Sequence, residues 1–381
     1  RITEKPSLNI PNAFVQNSTF GFRSYDKDSV NIGKSGRQYF GDVIDATTKS
    51  RTFVSTLNGI VPNSRINYTV RTVNASSATI PIRIDESNTQ VYSNSIYGIS
   101  DYDYAIEDIA KFSFQGNLSD ERSILKLSHL SVSISAKVYL DYFEIIYSRF
   151  LRAAGDNFIL FGKDTTATIE YTVTNFSSSS IQVFDVTDFS NVKLITNAIT
   201  SGGQIKFQTN ETKNNPSKYL VVSSNGYKVP SGGIKIDNMN IRGNVSGSQM
   251  IVITHKDFKT QAERYVKYRS SESPNKLTTQ VFYIDEIFNE FSCGMIDPMA
   301  IRDFLKYAYE NWQTKPFYVL LFGDGTYDYL NTVKDNKNFI ITYQTENSID
   351  EISSYTSDDY FVRISGNDLK PDLAIGRLTI Q

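Results

Sequence analysis

The sequence predicts a multidomain chain in which all-β modules of sandwich or jelly-roll type precede an α/β unit with a largely parallel sheet. Three observations predict this. Up to about residue 227, short alternating apolar and polar segments follow one another, separated by polar turn residues and showing no helical period. At Gln249 the periodicity changes, and strand-like and helix-like segments alternate from there on. Within that part, Phe317–Phe322 is an unbroken apolar run that enters Gly323-Asp324-Gly325. So short a run, bounded by turn residues, suits a strand covered on both faces.

The chain has 381 residues, room for two or three domains with sizeable cores. Its 24 tyrosines and 24 phenylalanines, set among many Ser, Thr and Asn, favour strands and polar turns. A formal net charge of −2 gives no electrostatic support to a nucleic-acid partner. The single cysteine, Cys293, excludes an internal disulfide framework. No apolar run approaches the roughly 20 residues that a membrane-spanning helix needs. Arg1-Ile2-Thr3-Glu4-Lys5 lacks the pattern of a signal peptide and reads as a mature start. The Asn-x-Ser/Thr triplets at Asn17, Asn67, Asn74 and Asn175 carry no weight in a chain of this composition.

Arg51–Leu57, Asn67–Val73 and Thr79–Ile84 read as the first strands of a half-buried sheet. Ala110–Phe114, Ile124–Leu130 and the long run Ser131–Tyr147 continue it. In that run Val132, Ile134, Ala136, Val138 and Leu140 share a face, after which Phe143, Ile145 and Tyr147 carry the apolar side. A bulge near Asp141 accounts for the phase shift. These strands set the first unit at residues 1–151. Ala167–Val173, Ser180–Val186, Gln204–Gln208 and Tyr219–Val222 form a second, smaller β unit, with Val229–Gly247 as a Gly- and Asn-rich linker, over residues 152–247.

The third unit spans residues 248–381. Met250–Thr254 is its first strand, and Asp257 is the expected N-cap of a helix that carries Phe258, Ala262, Tyr265 and Val266 on one face. Thr279–Ile284 is the next strand. Asp297-Pro298 then supplies an N-cap followed by proline at the first helical position. Ile301, Phe304, Leu305, Ala308 and Trp312 form the apolar stripe of that helix. Phe317–Phe322 completes a βαβαβ pattern, to which Phe339–Tyr343 and Leu373–Ile380 add strands, and the chain stops in mid-domain.

The groups able to do chemistry are few. His129 lies inside a strand and reads as structural. His255 follows the first parallel strand, at the rim where sites in open α/β sheets form. A Cys293–His255 nucleophilic pair is the sharp reading. Cys293 sits in a connection before a helix and not directly after a buried strand, however, and nothing places an orienting group beside it, so an ordinary loop cysteine and a capping or packing histidine are preferred. Asp324 and Asp328 follow one strand, and Asp358-Asp359 lie in a later loop. Oxygen-rich loops of this kind can hold Ca²⁺ or Mg²⁺, although aspartates also cap turns and no spacing here matches a defined ion loop. Gly323-Asp324-Gly325 lacks the Lys and Ser/Thr partners of a phosphate loop, which disfavours nucleotides.

Several segments then occur in a fixed order: Ile251-Val-Ile-Thr-His-Lys-Asp-Phe258, Phe291-Ser-Cys-Gly-Met-Ile-Asp-Pro-Met-Ala-Ile-Arg-Asp-Phe304, Leu320-Leu-Phe-Gly-Asp-Gly-Thr-Tyr-Asp328, Ser357-Asp-Asp-Tyr-Phe361 and Pro371-Asp-Leu-Ala-Ile-Gly-Arg-Leu378. Together they resemble the gingipain family of cysteine peptidases, most closely its PorU-type sortases of the type IX secretion system. Val138-Tyr-Leu-Asp-Tyr-Phe-Glu144 and Phe184-Asp-Val-Thr-Asp188 are similar to β segments that precede the peptidase domain there. The resemblance implies a caspase-like α/β domain whose first half ends near Ile375–Leu378. It places the catalytic His and Cys downstream of Gln381, so no catalytic residue is expected in this chain. Cys293 falls where relatives commonly carry a small residue such as Ser. Asp358 matches a position that lines the substrate cleft in arginine-specific members.

The resemblance further implies an exported protein of the bacterial outer membrane, cell surface or periplasm. The whole enzyme would remove C-terminal signals from secreted cargo and pass the cargo to an acceptor such as cell-surface lipopolysaccharide, alongside other secretion components. The resemblance implies no cofactor; Ca²⁺ at the aspartate loops, with Asp324 and Asp328 as its weak candidates, rests on the residues alone. The alternative of another class is a non-catalytic binding or scaffold protein of the same machinery; a metal- or carbohydrate-binding β protein is a third.

Overall fold

The structure is a computed structural model and describes residues 2–118, 120–236, 239–333 and 337–380. The aromatic, β-branched segments of the first part form two antiparallel sheets. One has the strand order Ser50–Thr56, Arg122–His129, Ile80–Glu86, Thr89–Ile96. The other runs Ser18–Asp26, Lys137–Phe150, Arg65–Asn74, Ile106–Gln115, with Val43–Asp45 paired to the start of the long strand. Leu125, Leu127 and Ile84 of the first sheet pack on Tyr68, Val70, Phe143 and Ile145 of the second. This is a β-sandwich, as expected.

The bulge is where the apolar phase requires it. Register between Lys137–Phe150 and Arg65–Asn74 shifts between Leu140 and Tyr142. The unpaired residue, Asp141, turns to ion-pair with Arg71, which also holds Glu107 at 2.9 Å. The strand begins later than the sequence pattern suggests, however. Val132 and Ile134 precede it and are 96% and 94% exposed, because Ser131, Ser133 and Ser135 bond locally instead of joining the ladder.

A second sandwich follows, with its own core of Phe158, Tyr171, Val183, Phe207, Tyr219 and Val221. One of its sheets runs Thr3–Pro6, Lys193–Thr196, Ile181–Asp185, Lys218–Ser223, Asn157–Phe161, and the other Ile199–Ser201, Gln204–Glu211, Ala167–Val173, Phe14–Gln16. The first two strands of the chain therefore add, in parallel, to strands 190 and 155 positions further on, Thr3 lying opposite Lys193 and Phe14 opposite Ile169. Neither strand was visible in the sequence, since three or four residues are too few to show a period.

The last unit, its elements numbered from its own first strand, contains β1 (Met250–Thr254), α1 (Lys259–Lys267), β2 (Thr279–Tyr283), α2 (Ile284–Phe291), α3 (Pro298–Asn311), β3 (Tyr318–Phe322) and β4 (Ala374–Leu378). The sheet is wholly parallel in the order β2-β1-β3-β4. Both faces are covered, so successive residues of β1 and β3 enter different cores. Ile251, Ile253, Val319 and Leu321 pack under α2 and α3, while Val252, Leu320 and Phe322 pack under α1. The expected helical face Phe258, Ala262, Tyr265 and Val266 closes that second core.

Two local expectations are corrected. His255, not Asp257, caps the start of the first helical segment: its Nδ1 accepts from the Asp257 N–H at 3.2 Å, over a short 3₁₀ turn that precedes α1. Phe339–Tyr343 is buried chain without strand structure. The amides of Phe339 and Ile340 donate to the Asp324 carbonyl, and the carbonyls of Ile340 and Ile341 accept from Arg377, in place of ladder partners. Asp297 and Pro298 start α3 as read, with Asp297 accepting from the Met299 N–H at 2.8 Å.

Each sandwich buries one glutamate among tyrosine hydroxyls. Glu86 accepts from Tyr68 at 3.0 Å and Ser123 at 2.6 Å; Glu211 accepts from Tyr171 at 2.7 Å and Tyr219 at 2.8 Å. Burial, reinforced by these carboxylates, pushes the three phenols above the ordinary tyrosine range, and burial with the Asp42 charge pushes Tyr25 up to about 12. The native protein thus keeps protons that the unfolded chain releases near pH ~10, so stability falls as pH rises through that value. Urea unfolding at pH ~8 and ~10.5 should show the loss, and equal stabilities would refute it. Glu211→Ala, which removes the shared acceptor of two buried tyrosine hydroxyls, should cost ~2–4 kcal/mol in the same assay, and Glu211→Gln distinctly less.

Candidate functional site

The carboxyl ends of β1, β2 and β3 converge on one rim, where open parallel sheets place their sites. Thr254 Oγ1 donates to the Phe322 carbonyl at 2.9 Å and locks β1 to β3 at the rim. His255 follows, half-exposed, with its ring edge-on to Phe339 at 5.5 Å. A cleft of about 380 Å³ opens here, lined by His255, Asp285, Asn289, Tyr329, Asn338 and Phe339 among others. Asp285 is already ion-paired to Lys256 at 2.5 Å.

Cys293 is exposed in the turn between α2 and α3, in the left-handed region at φ 54°. Among the described residues no hydrogen bond joins it to His255, and it is Gly294, not Cys293, that lines the cleft. The two groups of the sharp nucleophile reading therefore do not form a working pair. His129 is buried in its strand, with Nε2 bonded to the Asp45 carbonyl at 2.7 Å.

The Gly-Asp-Gly turn after β3 serves the chain's own backbone. A Cβ on Gly325 would stand 2.2 Å from the Ile340 carbonyl, and one on Gly323 would stand 2.9 Å from Phe339 Cβ. The glycines thus let residues 339–340 lie against the turn. Asp324 accepts from the Gly325 N–H at 2.9 Å. Asp328 is fully buried and accepts from Tyr39 at 3.2 Å, the Thr332 N–H at 2.7 Å and the Val333 N–H at 2.9 Å. Burial first, then the Asp328 charge, raises the Tyr39 phenol. Among the described residues no three His, Cys, Asp or Glu side chains come together as a metal site.

Asp358 is engaged as well. Arg377 of β4 grips it with a fork, Nε to Oδ2 at 2.8 Å and Nη2 to Oδ1 at 2.7 Å. The same guanidinium donates to the carbonyls of Ile340 at 2.7 Å and Gly323 at 3.1 Å. One side chain therefore joins the edge strand, the turn after β3 and two stretches of the long connection 323–373.

That connection is also clamped from the first sandwich. The Gln38 N–H donates to Ser348 Oγ at 2.8 Å, the Arg37 N–H to the Thr345 carbonyl at 2.9 Å, and the Gly36 N–H to Gln344 at 3.2 Å. From a second loop, the Tyr104 and Ala105 amides donate to the Ile349 carbonyl. Arg377 and the strap of residues 31–39 were not singled out from the sequence. Arg377 reads there as part of a strand and of the Pro371–Leu378 family segment, with no role of its own, and residues 31–39 carry no motif.

Residues 245–381 match the model of peptidase family C25. The resemblance to the gingipain family is thereby shown for the C-terminal unit. No curated protein sequence matches the chain. Among solved structures, dimeric latent PorU from Porphyromonas gingivalis superposes over 100% of this chain with a TM-score of 0.83 at 19% identity. The chain spans 38% of that protein's length. The fold is therefore that of the PorU segment, sandwiches and caspase-like C25 unit together. A carbohydrate-binding module of family 36, in complex with calcium and xylotriose, covers 33% of the chain at a TM-score of 0.22 and 14% identity. A family 35 module from Clostridium thermocellum covers 34% at 0.22 and 12% identity, and likenesses this low carry no argument.

In the C25 unit, Asp358→Ala should leave the buried Arg377 guanidinium unpaired and cost ~2–4 kcal/mol of unfolding free energy. Asp358→Asn should cost less. Unchanged unfolding of the alanine variant would show that the fork does not hold the rim together.

Proposed function

We propose that this chain is the N-terminal portion of a PorU-like cysteine endopeptidase of the gingipain family. On this reading it supplies two β-sandwiches, one formed by residues 18–151 and the other by residues 152–247 together with the strands Thr3–Pro6 and Phe14–Gln16, and the first half of the peptidase domain from residue 248. The observation that carries the proposal is that one PorU structure accounts for all three parts in a single superposition. The C25 match over residues 245–381 supports the peptidase class.

The active thiol and imidazole then come from sequence downstream of Gln381. The reaction needs a thiolate, a base beside it and donors for the oxyanion. Here the one thiol is exposed, and among the described residues no hydrogen bond joins it to a base. The whole enzyme would cut C-terminal signals from cargo secreted by the type IX route and join the cargo to a cell-surface acceptor such as lipopolysaccharide. It would work with the other secretion components at the outer membrane or cell surface. None of the described helices is long and apolar enough to cross a membrane.

Asp358 borders the substrate cleft in this reading. Because Arg377 already holds both of its carboxylate oxygens, a basic substrate side chain would have to compete with that arginine.

The test uses the protein extended to the length of PorU. Cleavage of a cargo C-terminal signal should be abolished by iodoacetamide in the wild type and equally in Cys293→Ser, which alone should retain full activity. Loss of activity in Cys293→Ser would overturn the assignment of the nucleophile. An extended protein with no thiol-dependent cleavage would favour the scaffold alternative.

A further inference from the structure

The edge strands of the two sandwiches, Ser18–Asp26 and Asn157–Phe161, meet along a seam. The Phe161 N–H donates to Thr19 Oγ1 at 3.0 Å, and that hydroxyl donates back to the Phe161 carbonyl at 2.9 Å. Beside the seam lies a cavity of about 360 Å³, open to solvent. Arg23, Arg149 and Lys218 stand in its walls, and no carboxylate lines it. Phenylalanines supply the apolar surface, and two of them, Phe20 and Phe22, are 61% and 48% exposed.

These three cations lack counter-charges: among the described residues no ion pair engages any of them, and the neighbouring Glu121 is taken by Arg152 at 3.1 Å. Arg149 is the most constrained. Its Nη2 donates to the Arg152 carbonyl at 3.0 Å, its guanidinium lies 4.3 Å from the Phe158 ring centroid, and its Nε is buried without a partner. Burial pushes this guanidinium down from its ordinary value. Arg23 and Arg152 add to that, while Tyr147 and Glu121 oppose it. Arg23 donates from Nε to the Thr56 carbonyl and from Nη1 to the Phe22 carbonyl, which fixes its head at the cavity. Lys218 Nζ lies between the Phe161 and Phe189 rings, 5.6 and 5.5 Å from their centroids.

Three like charges around one half-buried cavity repel one another, and a desolvated guanidinium with an unmade bond is costly. A ligand carrying two negative charges relieves the repulsion and gives the desolvated guanidinium a counter-charge. A single carboxylate would answer one arginine and leave the other cations unopposed. Arginine forks match phosphate oxygens in geometry, and aromatic walls strengthen the attraction by excluding water.

We propose that the inter-sandwich cavity is a binding site for a phosphate group carried on an apolar body, either a lipid headgroup or a soluble phosphate ester. Arg23, Arg149 and Lys218 hold the phosphate, and Phe20 and Phe22 contact the body that carries it. The site is independent of the peptidase reading.

Calorimetric titration of the 381-residue chain with phenyl phosphate, in chloride buffer, tests the soluble form. Flotation with phosphatidylcholine vesicles, with and without phosphatidic acid, tests the lipid form. Saturable binding is expected in at least one arm, weakened about tenfold or more in Arg23→Gln and in Lys218→Gln and weakened also by salt. Arg149→Lys, which keeps the charge and removes the fork, should lose affinity while its melting curve stays native. Binding of phenyl phosphate alone assigns a soluble ester; co-flotation that requires phosphatidic acid assigns a headgroup. Two outcomes overturn the proposal: no saturable binding in either arm, or undiminished binding in a natively melting Arg23→Gln/Lys218→Gln double variant.

Discussion

The rim of the C25 unit depends on one guanidinium. Arg377 stands on the last strand of the sheet among the described residues, and bonds sideways to a carboxylate and to the backbone on either side of the Gly323 turn. A lysine could not do this, because a point charge on a flexible stem lacks the planar set of donors that reaches several acceptors at once. Its neighbours conform to it. The glycines at 323 and 325 allow residues 339–340 close enough to present their carbonyls, and the connection folds back without forming a strand.

The sandwiches solve the opposite problem, that of placing polar atoms in an aromatic core. A chain so rich in tyrosine must bury hydroxyls along with rings, and each buried hydroxyl needs a partner. Both cores answer with a glutamate whose oxygens accept from several donors. This arrangement fixes ring orientations as well as satisfying bonds, as the packed rings of Tyr171, Phe207 and Tyr219 show.

The sequence made the architecture legible wherever a period ran long enough to be read. The apolar run of β3, the stripe of α3 and the phase slip at Asp141 each have a single physical explanation, and the structure has all three. Short elements escaped. Thr3–Pro6 and Phe14–Gln16 are ordered by partners far along the chain, which no local pattern announces. Phe339–Tyr343 misled because burial alone makes a residue apolar, whether or not its backbone joins a ladder. At the rim, the aspartates were visible as chemistry, but their partners were not. Asp358 reads as an available carboxylate until Arg377 is seen beside it, and Asp328 until Tyr39 arrives from the other end of the chain.

The clamp between the first sandwich and residues 344–351 bears on how the molecule can be divided. A connection as long as 323–373, with little regular structure among its described residues, carries a large entropic cost of ordering. Here much of that order is supplied from outside the C25 unit, by amides of residues 36–38 and 104–105. The sandwich is therefore part of the template on which the rim takes shape, and a cut made at the boundary of the family match would sever the rim from the surface that moulds it.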